Sequence, residues 1–340
     1  MARHILDATE VGIPGWRVVV VCPEGPLAEA LRAQGSPMVT AAVSPADGTG
    51  RAVSEVRAVL RRLAPDLLHT HLAFADLIGV AAVTGLRSGR GERIRLVSTE
   101  HGISGVRGYF QPGRMSAAAK SAAHRARLHR TDHVIAVSES TREQILEQWG
   151  RGAPITVIRN EVDPPSDVPA PRPGLRVLSL ARLAPEKRID QLLRAMSLVV
   201  AEHPEATLTV AGDGPLRDDL ERSSAELGLQ NAVTFSGFVD SQDALASHDV
   251  VVQLSVWENL SYTLLDALSR GLGIVATDVG GNSEIIPAQC LVDSADVRTI
   301  ADTIRRQGVD LMQRPSPEPL VGGRERMTGR IASIYEEAGR

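Results

Sequence analysis

Cysteine is nearly absent. Cys22 and Cys290 are the two in 340 residues, far apart and without metal-ligand spacing, which excludes a disulfide framework and reads as two buried thiols of a cytoplasmic protein. No apolar run reaches the length of a membrane span, and the first residues carry no signal-peptide pattern. Excess positive charge is missing too: a net charge of −4 leaves no basic field to hold nucleic acid. Lysine is scarce, since of 37 basic residues only Lys120 and Lys187 are lysines. Under such an arginine bias a surviving lysine marks a place where a compact charge matters. What the chain does have is 43% hydrophobic content, enough in this length for two domains with substantial cores.

Those apolar residues fall into short runs that alternate with helical patterns. Residues 2–13 read as a helix stopped by Pro14-Gly15, followed by a strand at 17–22 and a helix at 26–33. The alternation continues through strands at 38–43, 66–70, 94–99, 133–137 and 155–158, with helices at 51–63, 75–86, 114–130 and 139–149 between them. Five prolines in the eleven residues 164–174 then mark a semi-rigid linker. After it the pattern restarts with strands at 176–180, 206–211, 233–237, 250–254, 273–277 and 289–292, helices at 189–200 and 297–306, and a last helix at 323–337. This is an α/β chain built on doubly wound parallel sheets. Its predicted parts are a first domain over 1–163, the linker, a second domain over 175–315, and a terminal segment over 316–340.

Residues 255–286 organise the second half. An apolar strand ends in a polar turn with Trp257, Glu258 and Asn259. A helix then starts near Ser261 with Leu264, Leu265 and Leu268 on one face, and a second strand runs into Gly280-Gly281 and a short helix ending at Glu284. Two strand-to-helix turns side by side at the carboxyl edge of a parallel sheet suit a diphosphate, because each aims backbone N–H groups and a helix dipole at the crevice. Glu258 and Asp266 add acceptors for sugar hydroxyls. Upstream, Arg182 and Lys187 in the loop after a strand place two cations where they can neutralise that diphosphate. Gly212-Asp213-Gly214 is a weaker phosphate signal that also reads as an ordinary turn. His71 and His101 lie at strand ends, where a histidine serves either as a hydrogen-bonded structural residue or in the site.

The Glu258 to Asp266 spacing with its Gly-Gly-x-x-Glu turn resembles the donor-sugar signature of glycosyltransferase family 4, the group 1 glycosyltransferases of GT-B fold. The resemblance runs from Val18 to about Arg306. It implies two Rossmann-like domains facing across a cleft, and transfer with retention from a nucleoside-diphosphate sugar to an acceptor hydroxyl. The acceptor would be a glycan, a lipid-linked glycan or a small molecule, as in cell-surface polysaccharide or glycolipid synthesis. Carried over to this sequence, His101 and Glu258 are the catalytic residues, with Glu258 orienting the donor sugar and His101 its reacting face. Arg182, Lys187, Gly212, Gly214, Leu260, Ser261, Gly280 and Gly281 bind donor, Asp266 meets its ribose, and Phe238 and Val239 lie by the base. The resemblance implies a hexosyltransferase-type enzyme with no metal and no cofactor beyond the donor substrate, and a terminal helix returning to the first domain.

The sequence departs from the family at four places. Asp266 replaces a glutamate and is shorter by about 1.5 Å. Arg188 replaces a glycine in the Arg182–Lys187 loop. Glu161 replaces the glycine of the Asn160 to Asp163 turn, a strain if positive φ is required there. The family's first strand and Gly-Gly loop are not found, so the expectation is a start upstream of Met1, with a remnant as the alternative. Two rival functions follow: a non-catalytic nucleotide-sugar-binding remnant, and a GT-B nucleotide-sugar epimerase. Residues 114–130 hold many cations and no acid, read either as a solvated face or as a peripheral contact with anionic lipid at the inner membrane face, with Lys120, His124 and Arg127 sharing one helical side.

Overall fold

The computed structural model describes residues 1–103, 114–166, 170–317 and 322–339, without the side chains of 114–118 and 120. The chain forms two compact units, Met1–Asn160 with Arg324–Arg340, and Glu161–Gly323.

In the first unit the elements run α1 (Ala2–Val11), β1 (Val20–Cys22), α2 (Pro26–Gln34), β2 (Met38–Thr40), α3 (Thr49–Leu63), β3 (Leu67–His71), α4 (Ala73–Val83), β4 (Arg95–Glu100), α5 (Arg114–Leu128), β5 (His133–Ala136), α6 (Glu139–Trp149) and β6 (Ile155–Val157). β3-β4-β5-β6 form a parallel sheet in which His71 pairs with Thr99, while β1 and β2 pair in a separate one. Among the described residues no strand joins β1 to β3. β1 and β3 are thus edge strands of two separate sheets.

The second unit runs β7 (Arg176–Leu180), α7 (Ile189–Glu202), β8 (Thr207–Ala211), α8 (Arg217–Glu226), β9 (Val233–Gly237), α9 (Ser241–Ala246), β10 (Val250–Gln253), α10 (Tyr262–Ser269), β11 (Gly273–Thr277), β12 (Leu291–Val292) and α11 (Val297–Val309). Its six parallel strands are ordered β12-β11-β10-β7-β8-β9. Both faces are covered, which is why β10 and β11 read as near-continuous apolar runs, each ending in one polar residue, Gln253 and Thr277. One face packs on Leu192, Leu193, Met196 and Val199 of α7 and Ile300 and Ile304 of α11, the other on Leu264, Leu265 and Leu268 of α10. The helices that follow β7 and β10 thus lie on opposite faces, and a crevice opens at the carboxyl ends of these neighbouring strands. The last helix, α12 (Gly323–Gly339), places Met327, Ile331, Ile334 and Tyr335 in the first unit's core with Ile13, Val97, Ile135 and Ile158.

Two residues of the basic run turn inward, while Arg125, His129 and Arg130 stay exposed. Arg127 is fully buried: its guanidinium pairs with Glu100, lies 3.3 Å from Asp76 and donates to His124 Nδ1 at 2.8 Å. His124 stacks on Trp149 at 4.3 Å, and Arg127 lies 4.9 Å over the same ring. Both are buried and so lie outside the expected face shared with Lys120, and the acids that balance Arg127 come from α4 and β4 rather than from the run itself. The side chain of Lys120, and linker residues 167–169, lie outside the described residues.

Candidate functional site

Sheet order brings the second-unit residues together. The loop leaving β7 contains one 3-10 turn, Pro185–Lys187. The turn leaving β10 ends at Ser261, whose hydroxyl caps α10 by accepting from the Leu264 N–H at 3.4 Å and itself donates to Gln253 Oε1 at 2.7 Å. Val256 N–H donates to the Glu186 carbonyl at 2.9 Å, stitching the two loops. Lys187 Nζ then pairs with Glu258 Oε1 and reaches Ser255 Oγ at 3.3 Å, while the Ser255 hydroxyl donates to the same Oε1 at 2.9 Å. The Lys187 and Glu258 side chains remain 22% and 19% exposed. The pair is largely buried but keeps this access to solvent, so an arriving phosphate can compete for the ammonium and a hydroxyl for the carboxylate.

Arg182 pairs with Glu186 and keeps its side chain 59% exposed. Burial pushes the Glu186 carboxyl up more than any single contact pulls it down, but the Arg182 hydrogen bond, a backbone hydrogen bond and the charges of Arg182 and Lys187 together leave the group below the ordinary glutamate range. The Gly212 and Gly214 turn packs directly under this loop. A Cβ on Gly212 would meet the Ala181 carbonyl at 2.0 Å and one on Gly214 the Leu183 carbonyl at 2.4 Å. Both glycines are thus required by backbone approach, a structural need that stands beside any phosphate role.

Gly280 has φ 58°, and a Cβ there would lie 2.1 Å from the Glu258 carbonyl. The two turns therefore pack against each other, as their adjacency in sequence implies. The second helix, however, is one 3-10 turn, Asn282–Glu284, and Gly281 N–H already donates to the Asn259 carbonyl at 2.5 Å. This corrects the expected pair of helix N-termini: α10, entered through buried Leu260 and Ser261, is the one with a full helix behind it.

Asp266 is buried on α10 and accepts from Gln242 Nε2 at 3.5 Å. Phe238 and Val239 follow β9 and are 87% and 41% exposed, an apolar surface on the strand two places from β7. Sequence reasoning did not single out Glu186 or Ser255, whose parts depend on a loop contact; it placed Asn259 in the turn without a role, and the buried Asn259 Oδ1 has no partner among the described residues. It also missed Asn282, fully buried and donating to the Thr277 carbonyl at 3.0 Å.

In the first unit His71 ends β3 and His101 follows β4, with His71 Nδ1 3.0 Å from His101 Nε2. Burial and then neighbouring positive groups pull both imidazoles well below the usual histidine value. At neutral pH His101 is therefore a neutral ring that exchanges hydrogen bonds, not a cation. His4 and His69 join them, unforeseen from sequence spacing. Glu161, which replaces a glycine, is buried without a positive φ, so that turn carries no left-handed strain.

Comparison with known proteins agrees with this layout half by half. The family described as Glycosyltransferase Family 4 matches residues 9–165, and that described as Glycosyl transferases group 1 matches residues 174–307. The chain belongs to the group 1 glycosyltransferases. Among relatives of this group 1 chain, a glycogen synthase of Mycobacterium tuberculosis is 30% identical over 257 residues, covering 71% of this chain and 59% of that protein. A phosphatidylinositol N-acetylglucosaminyltransferase component from Homo sapiens is 24% identical over 264 residues, covering 74% and 52%. The match thus spans little more than half the length of these two relatives. The GT-B fold is shared with Anabaena HepE in complex with UDP and glucose, at TM-score 0.75 and 20% identity over 99% of this chain and 93% of that one. Sucrose-phosphate synthase of Thermosynechococcus elongatus gives 0.74 at 18% identity, over 97% and 91%.

Proposed function

We propose that the chain moves a hexosyl group from a nucleoside-diphosphate sugar to an acceptor hydroxyl, with retention of configuration and without a metal on the diphosphate. The reading is carried by the meeting of Lys187, Ser255 and Glu258 at the carboxyl ends of β7 and β10. Lys187 and Arg182 supply the positive charge that a leaving diphosphate needs, an electrostatic contribution that can outweigh any other in such chemistry. When the diphosphate takes the ammonium, Glu258 is released to accept hydroxyls of the donor sugar. Neutral His101 contributes hydrogen bonding at the reacting face, Asp266 accepts from the ribose, and Phe238 and Val239 lie against the base. The acceptor belongs to cell-surface polysaccharide or glycolipid synthesis on the cytoplasmic side. No helix among the described residues is long and apolar enough to cross a membrane; in this reading contact with lipid is peripheral, through exposed residues such as Arg125 and Arg130.

The test is nucleotide binding and turnover in Lys187→Ala. HepE is held with UDP and glucose, so UDP and its sugars are the first probes, followed by the other nucleoside diphosphates. A saturating diphosphate at a hundredfold over Kd should stabilise the unmutated chain by about 2.7 kcal/mol. Lys187→Ala is expected to lose most of that shift and about 100-fold or more in transfer rate. Unchanged transfer in the variant would overturn the assignment. Binding without turnover would make the chain a donor-binding module, and donor isomerisation without acceptor an epimerase.

A further inference from the structure

Four histidines gather in the first unit, and the proposed transfer uses one of them. His4 comes from α1, His69 and His71 from β3, and His101 from the residue after β4. Ring centroids lie 5.5 Å apart for His4 and His71, 5.0 Å for His4 and His101, and 5.3 Å for His71 and His101. His69 is committed elsewhere: its Nδ1 is 2.6 Å from the Tyr335 hydroxyl and its Nε2 2.7 Å from Thr99 Oγ1. It forms a wall, 4.4 Å from the His71 ring.

The other three bring a ring nitrogen each into one small cluster. His4 Nδ1 lies 3.1 Å from Asn160 Oδ1. A carbonyl oxygen only accepts, so the His4 proton sits on Nδ1 and its Nε2 carries a bare lone pair. That Nε2 is buried and has no partner among the described residues. His71 Nδ1 and His101 Nε2, 3.0 Å apart, share a single proton between two ring nitrogens. One ring nitrogen from each of the three lies within 4.8 Å of the others. Tetrahedral zinc with Zn–N bonds of about 2.0–2.1 Å sets its nitrogens about 3.3 Å apart, so ring rotations that shorten the widest separation by up to about 1.5 Å would close the trio. Burial, ahead of every other cause, holds His4 down to about 4 and His71 and His101 well below the usual value. All three are neutral ligands at physiological pH.

We infer that His4, His71 and His101 form a three-imidazole site for a borderline divalent transition metal, Zn²⁺ among them, with Asn160 fixing the His4 tautomer. An all-nitrogen set selects against Mg²⁺ and Ca²⁺, which want oxygen. The nearby Glu100 carboxylate is engaged by Arg127 and does not join. Asn160 has the part that a carbonyl or carboxylate plays behind a metal-bound histidine, holding the second ring nitrogen and so the direction of the first. On binding, the proton shared by His71 and His101 moves to the outer nitrogen of the ring that carried it. With three neutral ligands the ion keeps its charge and a fourth position for water or an anion. Because the His101 lone pair is taken, occupancy blocks the role given to His101 above, so the metal would act as an inhibitor of transfer and not as its cofactor.

The site is testable without any sugar. The tag-free full chain, stripped with EDTA, is titrated with Co²⁺ and followed by visible absorption. One Co²⁺ per chain is expected, with the strong bands of a tetrahedral nitrogen site and displacement by one Zn²⁺. His4→Gln and His71→Gln should each weaken Co²⁺ at least tenfold, and Asn160→Ala by about 10–100-fold. His129→Ala removes an exposed histidine outside the cluster and should change nothing. Near-UV circular dichroism separates lost ligands from lost fold, and His4→Asn and His71→Asn replace any variant that does not fold. Absence of saturable Co²⁺ binding by the folded chain, or equal affinity in folded His4 and His71 variants, would overturn the site whatever the transfer assay reports.

Discussion

Arg188 carries a side chain through the left-handed region, at φ 53° and ψ 37°, between the turn that holds Lys187 and helix α7. That conformation costs an L-residue about 1–2 kcal/mol, and the family resemblance puts a glycine here. Its ion pair with Asp190, 3.6 Å and partly exposed, returns little. Glycine loses about 0.5–1 kcal/mol in backbone entropy on folding, so Arg188→Gly is expected to raise stability by about 0.5–1 kcal/mol. Urea midpoints of the two proteins check it; a lowered midpoint would mean that the guanidinium contributes more than its contacts indicate. Glu161 shows the opposite outcome at a similar replacement, since its turn takes no positive φ and needs no glycine. Asp266 is a third case. Its shorter side chain is met by Gln242, which in turn accepts from Arg270 at 2.7 Å, a neighbourhood that sequence spacing along α10 alone could not reveal.

Helix α5 is held by one interior cation rather than by its apolar positions alone. Arg127 faces two buried carboxylates, and burial followed by the charge of Glu100 raises the Asp76 carboxyl well above its ordinary range, against the pull of Arg127. Thr70 Oγ1 donates to Asp76 at 2.5 Å and Arg127 to Ser98 Oγ at 3.3 Å, so the network spans α4, α5, β3 and β4. Removing the cation strands both acids, and Arg127→Ala is expected to destabilise the first unit by about 3–5 kcal/mol. The triple change Arg127→Met, Asp76→Asn, Glu100→Gln should recover much of that, as chemical denaturation of the three proteins would show. Here the limits of sequence reading have a physical cause. Apolar periodicity gave the second unit nearly strand for strand, with β7, β9 and β11 ending where expected, because hydrophobic burial is local in sequence. Strand order is not local. Lys187 and Glu258 meet because β7 and β10 are neighbours in the sheet, and Arg127 looks like any other surface arginine until α4 and β4 supply its acids. The histidine cluster escaped for the same reason, since His4 stands 67 residues before His71 and 97 before His101 in the chain.

At the scale of the whole molecule, the first unit is assembled from both ends of the chain and the second from one continuous stretch. α12 contributes Met327, Ile331, Ile334 and Tyr335 to the first unit's core. At about 2 kcal/mol for each buried side chain, these four bring roughly 8 kcal/mol, comparable with the about 5–15 kcal/mol that keeps a typical domain folded. A chain ended at residue 317 should therefore lose the cooperative melt of the first unit while keeping that of the second. Calorimetry of the shortened protein would show it, and an unchanged pair of transitions would mean that α12 is dispensable. The same arrangement inverts the usual order of events on the ribosome. Domains commonly fold in the order they emerge, at about 5–20 residues per second, yet here the amino-terminal unit must wait for the last helix. The stretch between its two parts, residues 161–323, occupies the ribosome for roughly 8–30 s at those rates. Throughout that interval, and until α12 follows, the apolar face around Val97 and Ile135 stays uncovered while the second unit is still being made, the period in which a nascent chain of this design depends most on chaperones.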